Sequence, residues 1–377
     1  MSYRYANAIV DPGLNTLVAP TPTYNYTYEF WMWGFNGNGE LGIGNTTSYS
    51  SPKQIGALVD WSTAALARNG AVATKKDGTF WAWGSNGTGQ LGLGNITSYS
   101  SPKQVGALTD WLVAASGTYH TIGIKTNGTL WTWGANSRGQ LGLGNITQYS
   151  SPKQVGSLTN WLTAAAGYNF TIALKTNGTL WSWGNNDAGQ LGLNVAYYID
   201  KSSPNQIGAL TTWAAIGCGR AFVLAVQTDG TLWAWGQNAY GTLGQGNTAS
   251  RSSPVQVGAL TNWLQTAGGS NHSIAVKTNG TLWTWGGNAQ GQLGTNNTNY
   301  YSSPKQIGSL ATWSMVAAGS NCCLATQSGK LFSWGQNSSG QLGIGNTTFY
   351  SSPKQIGALA TWLKVYPARA DFMLASK

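Results

Sequence analysis

Short runs of alternating apolar and polar residues return along this chain at a nearly constant interval. A W-G-x-N block places its Trp at Trp33, Trp83, Trp133, Trp183, Trp235, Trp285 and Trp334, at intervals of 50, 50, 50, 52, 50 and 49 residues. An S-S-P-x-Q-[IV]-G block follows each, with Pro52, Pro102, Pro152, Pro204, Pro254, Pro304 and Pro353. A third Trp closes each unit, at positions 61, 111, 161, 213, 263, 313 and 362. A partner Trp stands two residues before the W-G-x-N Trp in six units and Phe332 in the last, so all 20 Trp fall in register. A repeat of this length is a supersecondary unit that buries its apolar face only against its neighbours.

Within a unit the pattern predicts strands. In residues 170–184, FTIALKTNGTLWSWG, two β-rich runs flank Asn177-Gly178. That dipeptide predicts a two-residue type I′ hairpin turn, whose central residues both need positive φ. Asp77-Gly78, Asn127-Gly128, Asp229-Gly230, Asn279-Gly280 and Ser328-Gly329 hold the same place, which makes six turns for seven units. The seventh is replaced by the chain ends. The C-terminal segment aligns Phe372 with Phe170 and Lys377 with Lys175, while the N-terminal segment aligns Tyr26 with Thr176 and Trp33 with Trp183. The end of the chain therefore pairs with its beginning. An open solenoid needs polar caps, and a closed ring does not; the expectation is an all-β, seven-bladed β-propeller over residues 26–377. Side chains at i and i+2 share a strand face, so two stacked indoles per blade are expected between blades. Small residues such as Ala164-Ala165-Ala166-Gly167 suit an inner strand near the axis.

Composition sharpens this reading. Charged residues are 8% of the chain and Gly numbers 52 of 377, which argues against a helical surface. A hydrophobic share of 41% argues against disorder. The net charge of +10 is spread thinly and predicts mild attraction to polyanions, without a dedicated nucleic-acid surface. Cys218, Cys322 and Cys323 lack metal-ligand spacing and read as buried free thiols. No apolar run reaches 18 residues, and no membrane span is expected. The first fifteen residues lack the apolar core of a secretory signal, so any exit from a cell is expected through lysis or another route.

The repeated unit, as in AAGYNFTIALKTNGTLWSWGNNDAGQLG, resembles the regulator of chromosome condensation repeat family. The resemblance covers residues 26–377 and is fullest at 161–192 and 263–294. It implies a seven-bladed propeller, commonly closed by both chain ends. It also implies a range of activities: GTPase exchange factors, chromatin binders, photoreceptors, secreted β-lactamase inhibitors, and bacterial and phage surface proteins. The family's inner-strand His is present only as His120 and His272, with Gly70, Phe170, Phe222, Cys322 and Phe372 at equivalent positions, which is the substitution pattern of a packing site. No acidic wedge or blade insertion of an exchange factor is visible. The one irregular stretch, Asn194–Lys201, is two residues longer than its neighbours.

No catalytic constellation, cofactor or metal site is expected, since two His and ten acids leave little for acid–base or nucleophilic chemistry. Asp187 and Asp200 are a weak loop pair. Sequons at Asn45, Asn95, Asn145 and Asn346 read as polar loop chemistry. The candidate binding surface is the position before each S-S-P, namely Tyr49, Tyr99, Tyr149, Lys201, Arg251, Tyr301 and Tyr350. Lys53, Lys103, Lys153, Lys305 and Lys354 stand four residues further on. Sevenfold symmetry would make these a ring on one side of the disc. Either the ring stacks on a glycan or acidic polymer, or the Tyr pack on neighbouring blades and the Lys solvate the rim. Residues 1–25, with Pro20 and Pro22, read as an arm that is either a tether docking on a partner in a larger assembly or a disordered tail. The functional expectation is a non-enzymatic structural or adhesion propeller, foremost a phage virion component (decoration, fibre-associated or receptor-binding). Its partners would be a protein and a cell-surface polysaccharide, on a virion or extracellular surface. The alternatives are a cytoplasmic interaction scaffold, such as a GTPase exchange factor or chromatin binder, and a secreted enzyme inhibitor.

Overall fold

The computed structural model describes residues 28–57, 60–366, 368 and 371–377, together with the backbone pairing of three short strands, Tyr3–Tyr5, Ala8–Val10 and Leu17–Val18. The rest of the expected N-terminal arm lies outside the described residues. From Tyr28 onward the chain forms seven four-stranded antiparallel sheets. Blade 3 is representative: Trp111–Ser116 is innermost, followed outward by His120–Lys125, Leu130–Gly134 and Tyr149–Gln154. Blades 2 to 7 open at Trp61, Trp111, Trp161, Trp213, Trp263 and Trp313. Blade 1 takes its two inner strands, Lys364–Tyr366 and Phe372–Ser376, from the C-terminus and its two outer strands, Phe30–Gly34 and Tyr49–Gln54, from the N-terminus. The junction has the register that the repeat alignment requires, Phe372 opposite Gly34 and Ser376 opposite Phe30. Glu29 and Lys377 exchange both backbone hydrogen bonds at 3.2 Å. The ring is thus closed by main-chain pairing and leaves no unpaired edge inside blade 1.

The W-G-x-N Trp holds each blade to the one before it. Its indole N–H donates to a main-chain oxygen in the preceding blade's loop: Trp83 to Glu40 at 2.8 Å, Trp133 to Gln90 at 3.0 Å, Trp183 to Gln140 at 2.9 Å. The series continues through Trp235, Trp285 and Trp334 and returns to blade 1 with Trp33 donating to Gln341 at 2.9 Å. All seven of these indoles are fully buried. Gly of the G-Q-L-G loop is what allows the approach. At Gly343, with φ +70°, an added Cβ would stand 2.6 Å from the Trp33 indole nitrogen. The loop itself is fixed by the block's Asn, also buried: Asn136 accepts from the Leu141 N–H at 2.9 Å and donates to the Asn145 and Thr147 carbonyls at 3.0 and 2.9 Å.

Two details differ from the sequence expectation. The hairpin dipeptides are not type I′ turns, except one. At Asn177-Gly178 only the Gly has positive φ, and the Gly178 N–H bonds the Lys175 carbonyl at 3.0 Å, closing a type I turn whose αL residue is Gly178. The extra residue lets the Asn177 carboxamide accept from the Thr179 N–H and hydroxyl, at 3.2 and 2.7 Å. In blade 7, Ser328 and Gly329 have φ of 49° and 77° and form the single two-residue turn of the expected type. The indoles are also not stacked in parallel. Within each blade the innermost Trp meets the two rings of the third strand at a steep angle, edge-on in most, as Trp161 does with Trp181 and Trp183 at 6.1 and 6.0 Å and 79° and 67°. The ring quadrupole favours this arrangement over face-to-face contact.

The outer indole of W-x-W is half-buried, and in five blades it carries a cation. Lys175 Nζ lies 3.7 Å from the centroid of Trp181 and 4.7 Å from that of Trp161. Lys75, Lys125, Lys277 and Lys377 repeat the contact. A register shift after the innermost Trp, as between Trp111 and Val113, leaves the Trp opposite this Lys. Such contacts contribute about 0.5–2 kcal/mol each.

His120 and His272 are fully buried beside the neighbouring blade, with Nε2 at 2.9 Å from Thr171 Oγ1 and 3.2 Å from Cys323 Sγ. All three cysteines are buried and none forms a disulfide. Burial pushes the His272 pKa down to about 4, against a backbone hydrogen bond at Cys322 that raises it. A depressed imidazole pKa means that the unfolded chain binds more protons between about 4 and the ordinary value, so stability falls as pH drops through that window.

Two predictions follow from this packing. Gly343→Ala should lower unfolding stability by at least about 2 kcal/mol, and as much as Gly92→Ala at an interior interface, in urea denaturation; a markedly smaller loss at Gly343 would mean that the ring junction bears no load. His272→Phe, the residue found at three equivalent positions, should remove on the order of 3 kcal/mol of the stability difference between pH 7 and pH 4, read from denaturant midpoints at the two pH values.

Candidate functional site

The innermost strands carry mostly small residues, among them Ala64, Ala115 and Ala166, so the blades crowd the axis as expected. They leave a narrow axial channel of about 100 Å³, too apolar and small for chemistry. At one end it widens into a polar bowl of about 610 Å³. The bowl is built by the turns between the first and second strands of successive blades and by the loops after the third strands. Backbone hydrogen bonds join these turns around the axis: Tyr168 N–H to the Arg220 carbonyl at 2.9 Å, Arg220 N–H to Gly269 at 3.1 Å, Ser270 N–H to Ser320 at 2.9 Å.

The turns present the residue pair that precedes the family His. It reads Arg68-Asn69, Thr118-Tyr119, Tyr168-Asn169, Arg220-Ala221, Ser270-Asn271 and Ser320-Asn321 in blades 2 to 7, and ends in Asp371 in blade 1. No other position of the turn varies so widely in charge and size. Tyr119 and Tyr168 meet edge-to-face at 5.9 Å. The Arg68 guanidinium donates to the Tyr119 hydroxyl at 3.3 Å, and that of Arg220 lies 5.4 Å from the centre of the Tyr168 ring. Both Arg are exposed and both Tyr half-buried. Interaction with the Tyr119 hydroxyl first, and with Tyr168, holds the Arg68 pKa above its usual value despite partial desolvation. Asp371 lines the same bowl; its carbonyl accepts from the Phe35 N–H at 2.9 Å. Burial pushes its carboxyl pKa up, and Arg68 opposes the shift.

The ring anticipated before S-S-P has a different surrounding. Tyr49, Tyr99, Tyr149, Tyr301 and Tyr350 begin the outermost strands, on the circumference, and all are half-buried. Each carries the Lys four residues on: Lys53, Lys103, Lys153, Lys305 and Lys354 lie 4.9, 5.4, 5.3, 5.6 and 5.1 Å from the ring centres. Cation and aromatic face are thus paired within five of the blades. Blades 4 and 5 interrupt the series with Lys201 and Arg251, followed by Asn205 and Val255.

Asp187 and Asp200 are both engaged by Arg138 from the preceding blade, at 3.6 and 3.2 Å. Asp200 also accepts from the Asn186 N–H at 2.9 Å, where Ser98 serves Asn86 in blade 2. The pair pins the longer loop, which exposes Tyr197, Tyr198 and Ile199. The sequon Asn45, Asn95, Asn145 and Asn346 each accept from a backbone N–H two residues on, at 2.9–3.0 Å.

Asp371→Asn supplies a test of the bowl's electrostatics. A raised carboxyl pKa means that the folded state binds more protons than the unfolded one above the usual carboxylate value, so stability falls as pH rises through that window. The substitution should therefore stabilise the fold at pH 7, with the gain vanishing as the pH is lowered below the ordinary Asp value, in thermal melts across pH 3–7. A gain that persists at low pH would place the effect elsewhere.

Comparisons with known proteins agree with this architecture. Residues 115–371 match the family model described as RCC1-like domain, and residues 29–73 and 77–124 match the regulator of chromosome condensation (RCC1) repeat. Human WBSCR16 superposes with a TM-score of 0.82 at 22% identity, covering 93% of this chain and 98% of that one. Prp20p from Saccharomyces cerevisiae, a structure concerned also with its binding to Gsp1p and histones, gives 0.83 at 21% identity over 94% and 92%. Yeast RCC1 (Prp20) in its structure with Kap60 gives 0.83 at 20% over 93% and 89%. No curated protein sequence matches the chain. With its match over most of its length and a closed ring of seven blades, the chain belongs to the RCC1-like domain family.

Proposed function

We propose that this chain is a non-catalytic interaction scaffold that grips a protein partner at the axial bowl of one face. One observation carries the reading. The units are close copies in strands and loops, and they diverge in charge and size where their first turns meet at the axis. A scaffold needs asymmetry only where it touches its partner. The two histidines, the residues most apt for proton transfer at neutral pH, are buried in packing positions. The reading of the sequence as a virion or adhesion component draws support from no residue cluster in the bowl. The circumferential Tyr–Lys pairs that would have served a polysaccharide already satisfy one another. An intracellular protein-binding role is favoured instead, in line with what the structures of Prp20p and of yeast RCC1 bound to Kap60 say of those proteins. A strongly basic partner such as a histone suits this chain poorly, because it carries 20 Lys plus Arg against 10 acids.

A photo-crosslinking residue placed at Ser270, inside the bowl, should yield a discrete protein adduct in the source cells, and the same residue at Leu158, outside it, should not. No adduct from Ser270, or one to polysaccharide, would refute the scaffold.

A further inference from the structure

The bowl's charge is uneven in a way that specifies what enters it. Arg68 and Arg220 project into one cavity, and among the described residues neither guanidinium lies within ion-pair distance of a carboxylate. Elsewhere most of the described cations are occupied: eleven Lys lie over rings, five over Trp and six over Tyr. Arg138 holds two aspartates. Arg68 donates to the Tyr119 hydroxyl and interacts with that of Tyr168, and Arg220 rests on the Tyr168 ring, so each guanidinium fork, with five N–H donors, keeps donors for a further acceptor. A planar fork seated against an aromatic ring is pre-organised for a carboxylate and loses little freedom on binding.

We propose that the bowl recognises an acidic peptide segment of the partner, with Arg68 and Arg220 each receiving a carboxylate, Tyr168 supplying part of the wall and Tyr119 bracing Arg68. This rests on the scaffold reading and adds its chemistry. Asp371 sits in the same bowl and interacts with Arg68, so an entering carboxylate meets least competition at Arg220. A cavity of about 610 Å³ accommodates a few residues of a single extended chain.

Fluorescence polarisation with a fluorescein-labelled hexaglutamate peptide tests it, with hexaglutamine as the neutral control and a phosphoserine peptide of equal length as the competing anion. Hexaglutamate is expected to bind the full chain at least tenfold more tightly than hexaglutamine. The double variant Arg68→Gln, Arg220→Gln should lose at least tenfold of that affinity while keeping the wild-type melting temperature. Lys76→Gln, on the opposite face, should bind as the wild type does. Equal binding of the two peptides, an equal loss in Lys76→Gln, or tighter binding of the phosphopeptide each overturns the proposal. A Ser270 crosslink that survives when hexaglutamate fails to bind removes only the acidic specificity. Peptide binding without that crosslink removes the scaffold reading instead.

Discussion

The molecule is held by one contact made seven times: an indole N–H given to a main-chain carbonyl of the preceding blade. A single such hydrogen bond contributes only about 1 kcal/mol net. Its weight comes from what it brings along, since each Trp also buries a large apolar surface worth about 2–3 kcal/mol. The contact is directional, so it sets the angle between adjacent sheets. Repeated around the axis it leaves no first or last interface, and the one joining Gln341 to Trp33 is of the same kind as the other six. The glycines beside the indole are a consequence, because any Cβ at Gly343 would occupy the indole's place.

Much of this was legible in the sequence, because repetition removes ambiguity that a single segment leaves. Seven copies of one pattern fix the blade number, and the phase at which the chain stops fixes the closure, confirmed by the pairing of Phe372–Ser376 with Phe30–Gly34. Local geometry was less legible. Asn177-Gly178 is compatible with more than one turn. What decides is Thr179, whose hydroxyl links the Asn177 side chain to the Trp181 indole at 2.7 and 3.0 Å, a chain that a two-residue turn could not present. Likewise W-x-W places two indoles on one face but does not say that a third, from the innermost strand, enters between them edge-on.

The net charge illustrates how composition misleads when read without partners. A surplus of ten cations points to polyanions. In the structure much of that surplus is set against rings: Lys175 lies between two indoles, and burial lowers its pKa. Lys53 and its counterparts lie over the tyrosine rings, so the residue types that make a glycan-binding ring attractive from sequence are set against one another along the circumference.

The candidate site was the least legible element, although its signal was present. In a chain whose outer strands repeat S-S-P seven times, the informative positions are those that refuse to repeat. Sequence reasoning attended to the family His, which turned out to be fully buried, and passed over the two residues just before it. Those residues stand at the turn nearest the axis, where a seven-membered ring brings all its copies within reach of one ligand. The identical copies supply rigidity, and the few exceptions (Arg68, Tyr119, Tyr168, Arg220 and Asp371) supply direction. Symmetry makes the exceptions cheap to install, because the turn's backbone is fixed by its neighbours' hydrogen bonds and tolerates Arg, Thr, Tyr, Ser or Ala alike. On the reading proposed above, a change of partner needs edits only in this ring of turn residues, without disturbing the tryptophans that hold the ring together.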